Sequence, residues 1–148
     1  NFLFKSIKII FLFLFVLHLI NFIKITPYHY TFLNYFSGNI EERYKQFEND
    51  YWSVSLKELI LSSNLPEKKI NYITCGTSLG IVKTYMKEKY GNAEYTNLNS
   101  ANYIIMTNRT LYSKKSKSIS NCFDEYDFEN VAEVKRNGLI LSAIKKIK

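Results

Sequence analysis

The sequence predicts an α/β fold, with one N-terminal transmembrane helix followed by a small α/β domain with a mixed sheet and two or three helices. Three observations carry this expectation. Residues 2–25 are apolar almost throughout, a strand–turn–helix–strand pattern runs from Ile70 to Thr107, and Asn137-Gly138 joins two apolar runs near the C-terminus. The expected organisation is a transmembrane helix over 2–25, an interfacial aromatic segment over 26–52 and an extracytoplasmic α/β domain over 53–148.

From Ile7 to Ile25 the chain reads IKIIFLFLFVLHLINFIKI, interrupted only by Lys8, His18, Asn21 and Lys24. At about 1.5 Å per residue, Phe2 to Ile25 reaches across a hydrocarbon core of about 30 Å. Lys5 and Lys8 at one end and Lys24 at the other can hold their ammonium groups at the two interfaces. A soluble core helix would keep one polar face, whereas here apolar residues run all round. A cleaved signal peptide is the rival reading, but no small-residue cleavage site precedes Pro27. Lys5 and Lys8 favour a cytoplasmic N-terminal end, which would put the domain outside. The chain opens on Asn1 rather than methionine, which suits a processed chain or a piece of a longer protein.

Pro27 ends the helix and Gly38-Asn39 marks a turn; the tyrosines and phenylalanines between them suit a membrane interface. Ser53 to Ser63 reads as an amphipathic helix with Leu56, Leu59 and Ile60 on one face, stopped by Asn64-Leu65-Pro66. Ile70–Cys75 is a buried-type strand, Gly76-Thr77-Ser78 a turn and Leu79–Tyr90 a helix capped by Gly91-Asn92. Glu94–Asn97 and Asn102–Thr107 complete a βαβ pattern. Residues 112–121 read as a polar Ser/Lys loop. Asn130–Lys135 and Leu139–Ile144 flank Arg136-Asn137-Gly138, a hairpin signal, with a short amphipathic helix as the alternative for the last segment.

The 20 Lys and Arg against 13 Asp and Glu give a net charge of +7. Most lysines lie among acidic residues. The clusters at Lys114, Lys115, Lys117 and at Lys145, Lys146, Lys148 lack the interleaved aromatics of a base-stacking surface, so no nucleic acid is expected as partner. The excess is a solvated surface with some attraction to lipid headgroups. Cys75 and Cys122 are too few for a disulfide framework, although an oxidising compartment would let them pair. With His18 and His29 the sole histidines and no metal-binding spacing, no metal or other cofactor is expected.

Few motifs carry chemistry. Cys75-Gly76-Thr77-Ser78-Leu79-Gly80 invites a phosphate-binding reading, but it matches no phosphate-loop fingerprint, and Gly76 and Ser78 serve equally as turn residue and N-cap. Carboxylates pair at Glu41/Glu42, Glu48/Asp50 and Asp124/Glu125/Asp127. Asp50 stands out beside Tyr51 and Trp52, a grouping common at carbohydrate-contacting surfaces. The plainer alternative has Trp52 in the core and Asp50 capping the next helix. Asn108-Arg109-Thr110 matches the N-glycosylation pattern. No Ser-His-Asp or Cys-His set can be assembled, because His18 and His29 lie in or beside the membrane segment.

PYHYTFLN (residues 27–34), Ser37-Gly38, FENDYW (47–52) and Ser55-Leu56-Lys57-Glu58 together resemble the C-terminal part of bacterial GT-C-fold multi-pass membrane glycosyltransferases. These are the dolichyl-phosphate-mannose-protein mannosyltransferase-like, family 39-like enzymes. ANYIIMTNR (101–109) and VAEVKRNGLILSAIKK (131–146) are similar to that family's distal segments. The family pattern runs HPYxYxYFN, a Gly-rich turn and FExDYWG. Thr26 here replaces the usual histidine and Ser53 the common glycine. The resemblance implies an enzyme that moves a sugar from a polyprenyl-phosphate carrier at the outer face of the bacterial inner membrane, onto a glycan or lipid acceptor. The family's catalytic acidic loop lies upstream of the matching region, so no catalytic residue is expected in this chain. Pro27, Tyr28, Tyr30, Asn34, Asp50, Tyr51 and Trp52 match the motif, and Tyr28, Asn34, Asp50, Tyr51 and Trp52 are the candidate substrate-binding residues. The expected partners are the lipid bilayer, upstream membrane helices of the same protein and the polyprenyl-phosphate sugar. Two alternatives stand beside this one. The chain is a single-pass anchored, non-catalytic binding or interaction domain, or it is a small enzyme that uses Asp50 and the Gly76 turn.

Overall fold

The computed structural model describes residues 2–29, 38–39, 50, 52–113, 118–136 and 138–147. Two compact units divide the chain, Asn1–Phe32 and Leu33–Lys148. The first is built on helix α1 (Phe2–Ile25), 24 residues long. Its span Phe4–Ile25 is long and apolar enough to cross a membrane, and none of that span's apolar window is buried. Phe4, Ile9, Phe11, Leu12, Phe13 and Phe15 are all exposed, on every side of the helix. The helix ends as expected at Pro27. Thr26 Oγ1 donates to the Phe22 carbonyl at 3.0 Å and lies 2.9 Å from His29 Nε2, while the His29 ring stacks on Phe22.

The second unit is the mixed α/β domain. Its elements are α2 (Leu56–Ser62), β1 (Ile70–Cys75), α3 (Leu79–Tyr90), β2 (Ala93–Tyr95), β3 (Tyr103–Thr107), β4 (Thr110–Ser113), β5 (Ser118–Asn121), α4 (Cys122–Glu125), β6 (Glu129–Arg136) and β7 (Leu139–Lys146). Five strands form one sheet in the order β2-β1-β3-β7-β6. β1 runs parallel to both β2 and β3, the βαβ arrangement read from the sequence. β7 runs antiparallel to β3 and to β6, and Arg136 pairs with Leu139 across the Asn-Gly turn. The last segment is therefore a strand.

Three expectations are corrected. The polar stretch 112–121 is not all loop: β4 and β5 pair as a separate antiparallel ribbon, with Thr110 opposite Asn121. Backbone pairing there does not need the apolar alternation that marks a half-buried strand. The helix expected from Ser53 begins instead at Leu56. Ser53 has φ +56, a left-handed conformation no helix residue adopts, so the chain turns once before the helix can start. The second strand spans Ala93–Tyr95 rather than 94–97.

Alternation along the strands divides the sheet into two faces. Ile73, Cys75, Ile104, Met106 and Ala143 form one, packed against Ala101, Cys122 and Phe123. The opposite face includes Tyr72, Tyr103, Ile105 and Ile144, all buried, and α2 packs on it with buried Leu56, Leu59 and Ile60. Beside α2 lies α3, which turns Val82 and Met86 inward. An ion pair ties the layers together: one guanidinium nitrogen, Arg136 Nη2 of β6, donates to both Glu58 Oε1 and Oε2 of α2, at 2.8 and 2.7 Å.

Candidate functional site

The site grows from the carboxyl ends of β1 and β3. The chain leaving β1 climbs into α3 on one face, while the chain leaving β3 leads through the ribbon to α4 on the other. Adjacent parallel strands whose connections diverge open a crevice at their carboxyl ends, the usual ligand position in open α/β sheets. Here it is a pocket of about 300 Å³ lined by Trp52, Ser53, Thr77, Ser78, Ile81 and Arg109.

Its floor is tightly tied. Gly76 has φ +68, and a Cβ there would lie 2.8 Å from Cys122 Sγ and 3.2 Å from the Thr107 carbonyl, so only glycine fits. Thr107 Oγ1 donates to the Gly76 carbonyl at 2.6 Å, joining the end of β3 to the turn after β1. Cys75 and Cys122, left open by the sequence, are joined by a disulfide with a Cα–Cα distance of 5.8 Å. Asn121 Oδ1 accepts from the Phe123 amide at 2.9 Å, and Asn121 Nδ2 donates to Asn108 Oδ1 at 2.6 Å. These bonds hold the loops that follow both strands.

Ser78 stands at the N-cap position of α3 with extended backbone, but its hydroxyl makes no cap bond. It lines the crevice instead. Thr77 Oγ1 and Asn108 Nδ2 are buried without a hydrogen-bond partner. Asn108 is wholly buried, which puts the acceptor nitrogen of the glycosylation pattern out of reach in the folded chain.

The two neighbours singled out in the sequence take opposite roles. Asp50 is 0 % exposed. Its Oδ1 accepts from the Val54 amide at 2.9 Å, and its Oδ2 accepts from the Ser55 amide at 3.2 Å and from the Ser55 hydroxyl. That hydroxyl also meets Ser142 Oγ of β7 at 2.6 Å. Asp50 thus caps the turn before α2 and anchors it to the sheet, as the plainer reading expects. Trp52 departs from that reading: it is 71 % exposed at the rim of the crevice, not in the core. The Asp50 turn aims it there, since the Ser53 amide donates to the Asp50 carbonyl at 3.0 Å and the left-handed Ser53 reverses the chain.

Tyr28 is buried in the first unit, next to Pro27. Tyr30, Asn34 and Tyr51 lie outside the described residues, as do Glu41, Glu42, Glu48, Lys114, Lys115, Lys117 and Lys148. Asp124, Glu125 and Asp127 are exposed and form no cleft pair with Asp50. No group of three potential metal ligands occurs among the described residues. Arg109 is visible in the sequence as the middle of a glycosylation pattern and the end of the ANYIIMTNR segment, not as a site residue. The signal that could have found it is its place two residues past the buried strand β3, beside the Gly76 turn.

A second concavity of about 340 Å³ sits at the outer edge of the sheet, lined by Tyr72, Lys83, Lys87, Gly91, Ala93, Glu94 and Tyr95. Lys83 Nζ lies 5.5 Å over the Tyr95 ring. Burial, and then the neighbouring Tyr95, raise the Tyr72 hydroxyl above its ordinary value of 10.0. No protein-family model, curated protein or solved structure matches the chain.

Proposed function

We propose that this chain is the C-terminal part of a multi-pass membrane glycosyltransferase of the GT-C type, comprising a membrane helix and an extracytoplasmic α/β domain. The observation that carries the reading is Ser53. It holds φ +56, the conformation that favours glycine, at the one position of the FExDYWG pattern where this chain departs from glycine.

The rest of the motif serves the same turn. Asp50 caps it, Ser55 ties it to β7, Leu56 enters the core and Glu58 holds Arg136. Those positions therefore dock the domain segment, while Trp52 lies exposed at the rim of the crevice. A helix that is apolar on every face supports a membrane span. The Cys75–Cys122 disulfide supports placement outside the reducing cytoplasm. In this reading the acidic catalytic loop lies upstream of Asn1.

Reading the coding DNA upstream of Asn1 tests the proposal. An open frame with several apolar spans and an acidic loop between the first two is expected. A start codon just before Asn1 would leave a single-pass anchored binding domain. That second reading is favoured by one observation: the α/β unit has its own closed core and disulfide.

A further inference from the structure

We propose that the crevice bordered by Trp52, Ser78, Ile81 and Arg109 is a saccharide-binding subsite for a single sugar ring bearing a negative charge, carried as a phosphate or a carboxylate. The proposal goes beyond the enzymatic reading and does not depend on it, since an anchored binding domain could use the same subsite.

Trp52 supplies the platform. It is the single tryptophan of the chain, and a ring of that size left 71 % exposed at the rim of a pocket has a large face to offer. The negative face of an indole attracts the polarised C–H bonds that line one side of a sugar ring. Ile81, also partly exposed, extends the apolar floor. Ser53, Thr77 and Ser78 line the same space, and the hydroxyl of Ser78 is not engaged in capping its helix. Small-molecule sites combine an apolar surface with a few convergent polar groups in this way, and about 300 Å³ is the lower end of their size range.

Arg109 sets the charge of the ligand. Among the described residues of the lining it is the one ionisable side chain, and the nearby Asp50 directs its carboxylate to the amides of Val54 and Ser55. A planar guanidinium matches carboxylate and phosphate oxygens in a fork geometry. Rigidity completes the argument. The disulfide, the Thr107–Gly76 bond and the Asn121–Asn108 bond fix both loops before any ligand arrives, which lowers the ordering cost of binding. An exposed tryptophan beside Ile81 also suits insertion into lipid. A lipid-inserting surface is convex and apolar, however, and this one is concave and carries hydroxyls and an arginine.

Trp52 reports on its own site. The test follows the intrinsic fluorescence of the 148-residue chain in nanodiscs of zwitterionic lipid during titration with glucose 1-phosphate, glucuronate, glucose and inorganic phosphate. Saturable quenching by at least one of the two charged sugars is expected, at concentrations where glucose and inorganic phosphate have little effect. A response to glucose 1-phosphate alone would assign a phosphosugar, and a response to glucuronate alone an acidic glycan. Arg109→Gln is expected to raise the half-saturating concentration about tenfold or more, the loss typical of one charge-assisted hydrogen bond. Should that variant unfold by circular dichroism, Ser78→Ala provides the test with a smaller rise, and Trp52→Phe read by calorimetry should weaken binding as well. The proposal is overturned if neither charged sugar quenches, or if inorganic phosphate alone does so equally well. It is also overturned if anionic vesicles shift the emission to the blue while no sugar acts.

Discussion

The apolar helix Phe2–Ile25 and the α/β domain treat the same residue types in opposite ways. In the domain Leu59, Ile104, Ile105 and Leu141 are wholly buried, and α3 shows water a polar face while turning Val82 and Met86 inward. In α1, Phe4, Phe11, Phe13 and Phe15 are all more than half exposed. At roughly 25 cal/mol per Å² of apolar surface, a helix of this kind is costly to keep in water. The domain has buried most of its apolar residues internally, and the helix, long and apolar enough to cross a membrane, has not. Its backbone amides bond within the helix, so lipid is a solvent it tolerates. The difference teaches that the two units answer to different perturbations.

The largest expected effect tests the helix. Replacing Leu14 and Phe15 with lysine puts two charges near the middle of the span, at about 2.5–3.5 kcal/mol each. The double variant should appear in the soluble fraction after a carbonate wash, with the domain's circular dichroism unchanged. Retention in the washed membrane would contradict the span.

Next comes the disulfide of the domain. Its cysteines are 47 residues apart, and closing a loop of that length stabilises by about 4 kcal/mol in the chain-entropy account. Cys75→Ala with Cys122→Ala should lower the urea midpoint of the domain sharply and leave membrane retention unaffected. An unchanged midpoint would mean the bond contributes nothing.

A finer contrast separates Asp50 from Trp52. Asp50→Ala leaves the buried Ser55 amide and hydroxyl without this acceptor, each at about 1–3 kcal/mol, and the half-buried Val54 amide as well. Unfolding should become easier by several kcal/mol on that scale, whereas Trp52→Ala should change stability by less than about 0.5 kcal/mol, as exposed positions usually do. Equal losses at the two positions would erase the distinction between an anchor and a contact residue.

The smallest effect is a pH dependence. Burial raises the hydroxyl values of Tyr72 and Tyr126 above 10.0, with Tyr95 and Glu125 adding to it. Raised folded values mean the native state keeps these protons after the unfolded chain has lost them. Their contribution is complete below pH 10 and is lost as pH rises through the folded values. Thermal melts of Tyr72→Phe should show a shallower decline in alkaline buffer than the parent.

Much of this architecture was legible in the residues. Strand Ile70–Cys75 and helix Leu79–Tyr90 were read with their observed ends, because Gly76 and Gly91 sit where only a turn and a helix cap explain them. The hairpin was legible in Asn137-Gly138. Other features depend on contacts that sequence does not display. The strands of the β4–β5 ribbon, Thr110–Ser113 and Ser118–Asn121, are too short for an apolar alternation to mark them. Whether Cys75 meets Cys122 depends on where α4 lands on the sheet. Asp50 and Trp52 are two residues apart, and the sequence allows them either as one carbohydrate-contacting group or as a cap and a core residue. The left-handed Ser53 between Trp52 and α2 sends one inward and the other out. Arg109 joined the site because the strand before it is a central one, which required the strand order β2-β1-β3.

Sugar transfer by the complete gene product tests the central claim most directly. Membranes carrying it, supplied with a labelled polyprenyl-phosphate hexose, should move the label onto a glycan or lipid acceptor, and deleting residues 53–148 should lower that transfer. A product with one apolar span and no transfer from any polyprenyl-phosphate sugar would contradict the enzymatic reading and leave an anchored domain that binds without catalysing.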